Sequence, residues 1–241
     1  AVGCGATGRI EESVRYIDAA RAAIDSGAYE AMPHRVEVFG GIAYLDAGQP
    51  ERIIEWCQAM LADDSDAAVA PLILLVFVLT VVGRGDEARL ALRGMVHAAE
   101  RTRNPGLLAY ALWAEGVAFG NADPNYALQA LRRGLVIAQD SGTILVEDAL
   151  ASSLSRLETQ HGDPLVALDF VALAIRSLYD AGNTTQIVGP VANLASLFDR
   201  LGRYEPAAVI TGFASTKVIP GLTKIEATEN LKQAIDLNTR V

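Results

Sequence analysis

Apolar and polar residues follow one another along this chain at three- and four-residue spacing, the period of a helix with one buried face, and no stretch alternates with the period of a strand. Leu165, Leu168, Val171, Ala172 and Ile175 carry this spacing most plainly. Punctuation bounds the runs. Gln49-Pro50, Asp123-Pro124 and Asp163-Pro164 each read as an N-cap followed by proline at the first helical position, where its missing N–H does no harm. Helices are therefore predicted over about Pro50–Leu61, Asp86–Arg101, Pro124–Gln139, Pro164–Tyr179 and Glu205–Ala214. Partner helices are predicted between them, over about Pro33–Asp46, Asp66–Val82, Pro105–Phe119, Thr143–Gln160 and Thr184–Leu201, and Gly27, Gly142 and Gly182 stand where left-handed C-caps end helices.

The runs also recur. Gly8…Ser13, Gly48…Ile53, Gly83…Ala88, Ala122…Ala127, Gly162…Ala167 and Gly202…Ala207 each place a small residue five positions before a small or aliphatic one, at intervals of about 40 residues with one nearer 35. That is the period of helical-repeat arrays, in which each unit buries its apolar face only by stacking on its neighbours. The expectation is one all-α domain over 1–241: a right-handed α-solenoid of antiparallel helix hairpins, about eleven to thirteen helices and no sheet.

Two features interrupt the pattern. Pro71 and Pro190 lie inside apolar runs at the same phase of the repeat, each about twelve residues before a repeat glycine. Either a helix starts there or a longer one bends there; the capping-box-like Asn183-Thr184-Thr185-Gln186 favours a bent, longer helix for the second. Ala67–Val82 is apolar apart from Thr80. It contains Pro71, is barely long enough to cross a bilayer and is in phase with the repeat, so a doubly buried helix is expected over a membrane or lipid-binding one.

Composition and charge narrow the partners. Hydrophobic residues make up 51% of the chain and aromatics only 6%, so the core must be filled by Ala, Leu, Val and Ile. A formal charge of −9 opposes a phosphate-backbone partner, and Arg101, Arg103, Arg132 and Arg133 are too sparse to change this. No direct nucleic-acid contact is expected. Cys4 and Cys57 stand far apart without ligand spacing, as reduced structural thiols. The sequence starts without Met or a basic-apolar leader, so a cytoplasmic segment of a longer protein is expected.

Chemistry-bearing motifs are few. There is no G-x-x-x-x-G-K-[ST], no H-E-x-x-H, no G-x-S-x-G and no Cys or His cluster, and His34, His97 and His161 are widely separated. Gly3-Cys4-Gly5-Ala6-Thr7-Gly8 matches G-x-G-x-x-G, but it lacks the preceding strand of a dinucleotide site, and Gly8 is explained as a repeat turn. No cofactor, metal or catalytic residue is expected. A competing enzyme reading would use Glu147 and Asp148 with Glu115, desolvated in a cleft with separated pKa values.

The spacings Gly41, Tyr44, Gly48, Ile53 and Ala195, Phe198, Gly202, Ala207 resemble tetratricopeptide (TPR) repeats. The Gly83 repeat carries Val76 and Leu79 at the first two of these positions, and the Ala122 repeat carries Gly116 and Phe119 slipped by one. The resemblance implies a concave face, built from the first helices of the hairpins, that holds a protein, a peptide or a small effector. Carrying the repeat positions over places Arg35, Phe77, Tyr110 and Trp113 there, with Ser152, Arg156 and Ser196. Tyr110 and Trp113 would supply contact area and a polar handle, and Arg35 and Arg156 would fix a carboxylate. The plainer alternative makes Trp113 a core residue.

Leu168-Asp169-Phe170 through Arg176, Asp180-Ala181-Gly182-Asn183-Thr184-Thr185 and Leu197 through Ala208 resemble the C-terminal repeat region of bacterial signalling proteins. Those proteins join a nucleotide-cyclase-like domain and an AAA/STAND-type ATPase to TPR-like repeats, sometimes with a LuxR-type helix-turn-helix. The tail from Lys217 onward lies outside this likeness. It implies a non-enzymatic sensor or interaction arm for signal transduction or transcription regulation, whose partner is an effector or the protein's own ATPase domain. The alternative is a stand-alone oligomeric scaffold, sealed as a homodimer through an exposed apolar helix.

Overall fold

The computed structural model describes residues 4–5, 8–62, 69–182 and 186–215. Among them the chain is all-helical, without strands. The helices are α1 (Ile10–Asp25), α2 (Ile42–Asp46), α3 (Pro50–Leu61), α4 (Val69–Val81), α5 (Gly85–Ala91), α6 (Met95–Arg101), α7 (Pro105–Phe119), α8 (Pro124–Ser141), α9 (Ile144–His161), α10 (Pro164–Asp180), α11 (Val188–Arg200) and α12 (Tyr204–Ser215); a 3-10 segment, Pro33–Gly41, leads into α2.

The recurring glycine is a recurring helix end. At Gly48, N–H donates to Leu45 O at 2.9 Å and the next N–H, of Gln49, to Tyr44 O at 2.7 Å. At Gly202 the same pair of bonds runs to Asp199 O at 2.9 Å and, from Arg203, to Phe198 O at 2.8 Å. Gly8 and Gly83 repeat it, and all four have φ between 70° and 82°. This Schellman closure satisfies the last carbonyls of a helix and needs a left-handed residue, which a Cβ disfavours. Gly162 departs from it, with φ −108° and ψ −154°. Gly27, Gly142 and Gly182 are left-handed as expected.

The starts divide. Asp123 and Asp163 cap their helices, accepting from Tyr126 N at 3.0 Å and Leu165 N at 2.7 Å, and Asn104 does the same for Leu107 N at 3.2 Å. Gln49 makes no cap; its Oε1 accepts from Arg52 instead.

Three predicted helices are corrected. Asp86–Arg101 is split into α5 and α6, because Gly94 turns left-handed at φ 79°. Pro33–Asp46 is helical only from Ile42: His34 and Arg35 take φ 57° and 55°, and the 3-10 segment runs up to Gly40-Gly41. Those glycines admit neighbours, since a Cβ on Gly40 would meet Ile17 Cδ1 at 2.7 Å and one on Gly41 the Trp56 ring at 3.2 Å. The bent helix from Thr184 is not formed as expected either. Gln186 and Ile187 are turn residues and α11 begins at Val188, which puts Pro190 in its first turn, where proline costs no hydrogen bond. Residues 183–185 and 63–68 lie outside the described residues; the described part of α4 begins at Val69 and also holds its proline, Pro71, as third residue.

Packing is sequential. The 3-10 segment lies against α4, α4 against α7, α7 against α9 and α9 against α11, while α3, α8, α10 and α12 pack on their neighbours in this row. One core cluster runs from Ile17 to Ala118 and a second from Ala109 to Leu157, both with residues of α7. The apolar run at α4 is core: Val69–Leu79 is buried apart from the half-buried Leu72. Among the described residues no helix is long and apolar enough to cross a membrane.

Polar stitches hold the ends. Tyr44, fully buried, donates to Asp18 Oδ1 at 2.5 Å; Arg52 reaches the same oxygen at 2.6 Å and lies 4.1 Å over the Tyr44 ring. The tyrosine hydrogen bond, opposed by partial burial and aided by the arginines, holds Asp18 below its usual pKa. At the other end Arg200 donates to Glu158 O at 3.1 Å, Thr159 O at 2.8 Å and Gly162 O at 2.8 Å, closing the carbonyl end of α9 from α11. Glu158, itself buried, pairs with Arg132.

Candidate functional site

Four aromatic rings from three successive elements of the row meet on one another. Phe39 of the 3-10 segment stacks on Tyr110 of α7, with ring centroids 4.8 Å apart and planes at 25°. Tyr110 meets Trp113 edge-on at 6.2 Å, and Trp113 lies 4.5 Å from Phe77 of α4. The fourth element adds a polar tie: Trp113 Nε1 donates to Ser153 Oγ of α9 at 3.0 Å. Helical spacing makes this possible, because Tyr110 and Trp113 stand three residues apart and share one face of α7.

The seven residues expected at the site separate into two groups. Phe77, Tyr110 and Trp113 belong to the aromatic strip; Phe77 is buried, the other two half-buried. Trp113 is thus partly core, packed against both clusters, and partly open. Arg35 stands in the same 3-10 segment as Phe39, but its Nε already donates to Glu37 Oε1 at 2.7 Å. Ser152, Arg156 and Ser196 are half-buried and lie along α9 and α11. The Ser152 carbonyl accepts from Ser155 Oγ and from Asn193 of α11, and Arg156 Nη1 reaches Gln160 at 3.4 Å.

Three residues of this region escaped the sequence reading. Phe39 falls two positions before Gly41, just ahead of the recognised spacing, and a lone Phe gives no sign that it faces a helix some 70 residues further on. Ser153 was masked by its neighbour Ser152. Glu37 is a carboxylate two residues from Phe39, its side chain 10% exposed; its second oxygen, Oε2, is buried without a hydrogen-bond partner.

The three carboxylates of the competing enzyme reading have different surroundings. Glu115 accepts from Tyr126 OH at 2.8 Å and Glu147 from Gln139 Nε2 at 3.1 Å, both on α8. Asp148 is buried, 6% exposed, with Oδ1 unpartnered. Burial pushes its pKa up, against a hydrogen bond from Ser177 of α10 and with the help of the Glu147 charge. Asp148 lies close enough to Tyr110 to act on it: burial, with the Asp148 charge adding, raises the Tyr110 phenol to about 12.

Elsewhere the chemistry is structural. Cys4 and Cys57 are buried, and burial pushes the Cys57 thiol up to about 12. Among the described residues no three His, Cys, Asp or Glu side chains are grouped to hold a metal ion. The G-x-G-x-x-G match falls partly outside the described residues; of its part within them, Gly8 N–H is spent on Gly5 O at 2.9 Å and the following N–H, of Arg9, on Cys4 O at 2.8 Å. No protein-family model matches this chain, and no curated protein matches it.

Proposed function

We propose that this chain is a TPR-like helical-repeat module, a right-handed solenoid of antiparallel hairpins, which serves a cytoplasmic bacterial signalling or transcription regulator as its non-enzymatic sensor and interaction arm. The observation that carries the reading is the row itself: the first element of each hairpin packs on the first element of the next, from the 3-10 segment through α4, α7 and α9 to α11. Side chains of a row aligned in this way combine into one extended surface, to which we assign the aromatic strip. Two of the small residues of the TPR spacing perform one task. A Cβ on Gly116 would meet Leu131 Cγ of α8 at 2.5 Å, as one on Gly41 would meet Trp56 of α3, so each glycine lets a first element approach its own partner closely. The partner is a protein, peptide or small effector, or the ATPase domain of the same protein.

The test uses the full reading frame that contains this segment. Isolated, the chain should give no heat with magnesium-ATP in calorimetry. In the full-length protein Tyr110→Ala should change effector-dependent ATP turnover while the thermal transition of the segment persists. Saturable micromolar ATP binding by the chain alone, or turnover indifferent to Tyr110→Ala, overturns the reading.

A second reading, a stand-alone oligomeric scaffold, is favoured by exposed apolar side chains at the C-terminal end: Leu165 and Tyr179 on α10 are 74% and 72% exposed, and Val209 on α12 is 69% exposed. Sedimentation equilibrium distinguishes the two, because the scaffold requires a dimer at micromolar concentration.

A further inference from the structure

On α10 the spacing that buries a helix face elsewhere in the chain points outward. Leu165, Ala172 and Tyr179 recur every seven residues, Leu168 and Ile175 follow the first two of them by three, and Asp169 and Arg176 follow the same two by four. This is the a, d and e spacing of a coiled-coil seam. All of these side chains are exposed except the half-buried Ile175, and Leu165 and Tyr179 are among the most exposed apolar residues of the chain. The g positions on the other flank, Val171 and Leu178, are buried, in a helix that already packs on α9 and α11. α10 therefore has one apolar side spent on its own fold and a second with nothing on it, and an exposed apolar stripe of this kind marks an interaction surface.

The charges beside the stripe say what covers it. Asp169 and Arg176 share one flank, on either side of Ala172, and neither has an ion-pair partner among the described residues. Two copies of α10 laid antiparallel about a two-fold axis at Ala172 bring Leu165 to the partner's Tyr179, Leu168 to the partner's Ile175 and Asp169 to the partner's Arg176, and every pair occurs twice. One register satisfies all of them, because each pair is centred within half a residue of Ala172. The small side chain at the crossing lets the helices come close. A parallel pair would instead set e against g, where Val171 and Leu178 are already buried, and both charges would meet no opposite charge. A surface that carries its own complement in this way fits a second copy of itself.

We infer that the outward heptad of α10 is a homodimer interface, in which two copies of this chain pair antiparallel with Asp169 and Arg176 as reciprocal salt bridges. This rests on the second reading above, a self-associating chain, and names its face and register. α10 is the second helix of its hairpin, so the contact uses none of the row of first elements. A single pair of 17-residue helices is a small interface, and association in the micromolar range is expected of it.

Sedimentation equilibrium of the chain across the micromolar range is the measurement, with circular dichroism to show that each variant is folded, as the exposure of these positions leads one to expect. Leu165→Lys should weaken the dimer about tenfold. Arg176→Asp sets acid against acid and Asp169→Arg sets base against base, and each should weaken it about tenfold as well. The double variant Asp169→Arg/Arg176→Asp should recover the parent affinity, and an equimolar mixture of the two single variants should form a mixed dimer that neither forms alone. Recovery of this kind separates a salt bridge between copies from a change within one copy. A parent chain that is monomeric throughout overturns the inference together with the second reading. A dimer that withstands Leu165→Lys or a single charge reversal, or a folded double variant that stays monomeric, overturns the inference alone and moves self-association to another face. The ATP-turnover test of the first reading depends on none of these variants.

Discussion

Asp46 shows how one residue sets a pH dependence. Burial raises its carboxyl from 3.8 to about 6, so the folded chain holds a proton that the unfolded chain has released. Stability should therefore fall as pH rises from about 4 to about 6 and stay reduced above that, by up to ~3 kcal/mol for a shift of this size. Asp46→Asn should remove the slope, giving a higher thermal midpoint than the parent at pH 7.5 and an equal one at pH 4; equal midpoints at both would show that the carboxyl is not desolvated. Trp113 tests a different residue-scale idea. Its ring contacts Phe77 and Tyr110 and its N–H holds Ser153, so Trp113→Ala should cost about 3–4 kcal/mol in urea unfolding. Trp113→Phe keeps the ring contact and should cost about 1–2, the part due to the lost bond and the volume.

At the scale of elements, closeness of approach is decided by single atoms. α7 meets α8 where a methyl group on Gly116 would lie 2.5 Å from Leu131 Cγ and 3.2 Å from the Ala127 carbonyl. Gly116→Ala gains helix propensity of about 1 kcal/mol but forces the helices apart, and the overpacking cost of about 1–3 kcal/mol should win. A lower urea midpoint is the expected result; a rise would mean that Leu131 has room to turn away. α4 tests burial from the other side. Leu75 is 6% exposed on α4, which packs against the 3-10 segment and α7, and Leu75→Asp would bury a charge. The variant should be unfolded by circular dichroism at 25 °C. A folded Leu75→Asp chain would contradict the packing of α4.

Across the whole molecule stability should follow position in the row. α7 contributes to both core clusters, whereas α1 buries only Ser13 and Ile17. An element with few buried side chains opens at lower free energy than one shared by two clusters. Native-state hydrogen exchange should therefore give α1 a lower opening free energy than α7. Uniform protection from α1 to α12 would instead indicate one cooperative block.

Helix class and most helix ends were legible in the order of residues, because the signals are local. Pro50–Leu61 and Pro105–Phe119 are reproduced residue for residue, since proline at a first turn and an unpaired helix end depend on near neighbours alone. The recurring glycine was legible for the same reason, as the turn before a helix, and Gly27, Gly142 and Gly182 as left-handed caps. The miss over Pro33–Asp46 was tertiary in cause: Gly40 and Gly41 of the 3-10 segment lie against Ile17 and Trp56, and neither contact shows in the periodicity. The site divides in the same way. Tyr110 and Trp113 stand out by residue type and spacing, whereas Phe39 and Ser153 acquire meaning only when the 3-10 segment, α7 and α9 are brought together. Sequence period determines that neighbouring elements stack; which side chains then meet across them depends on helix rotation and approach, which packing alone decides.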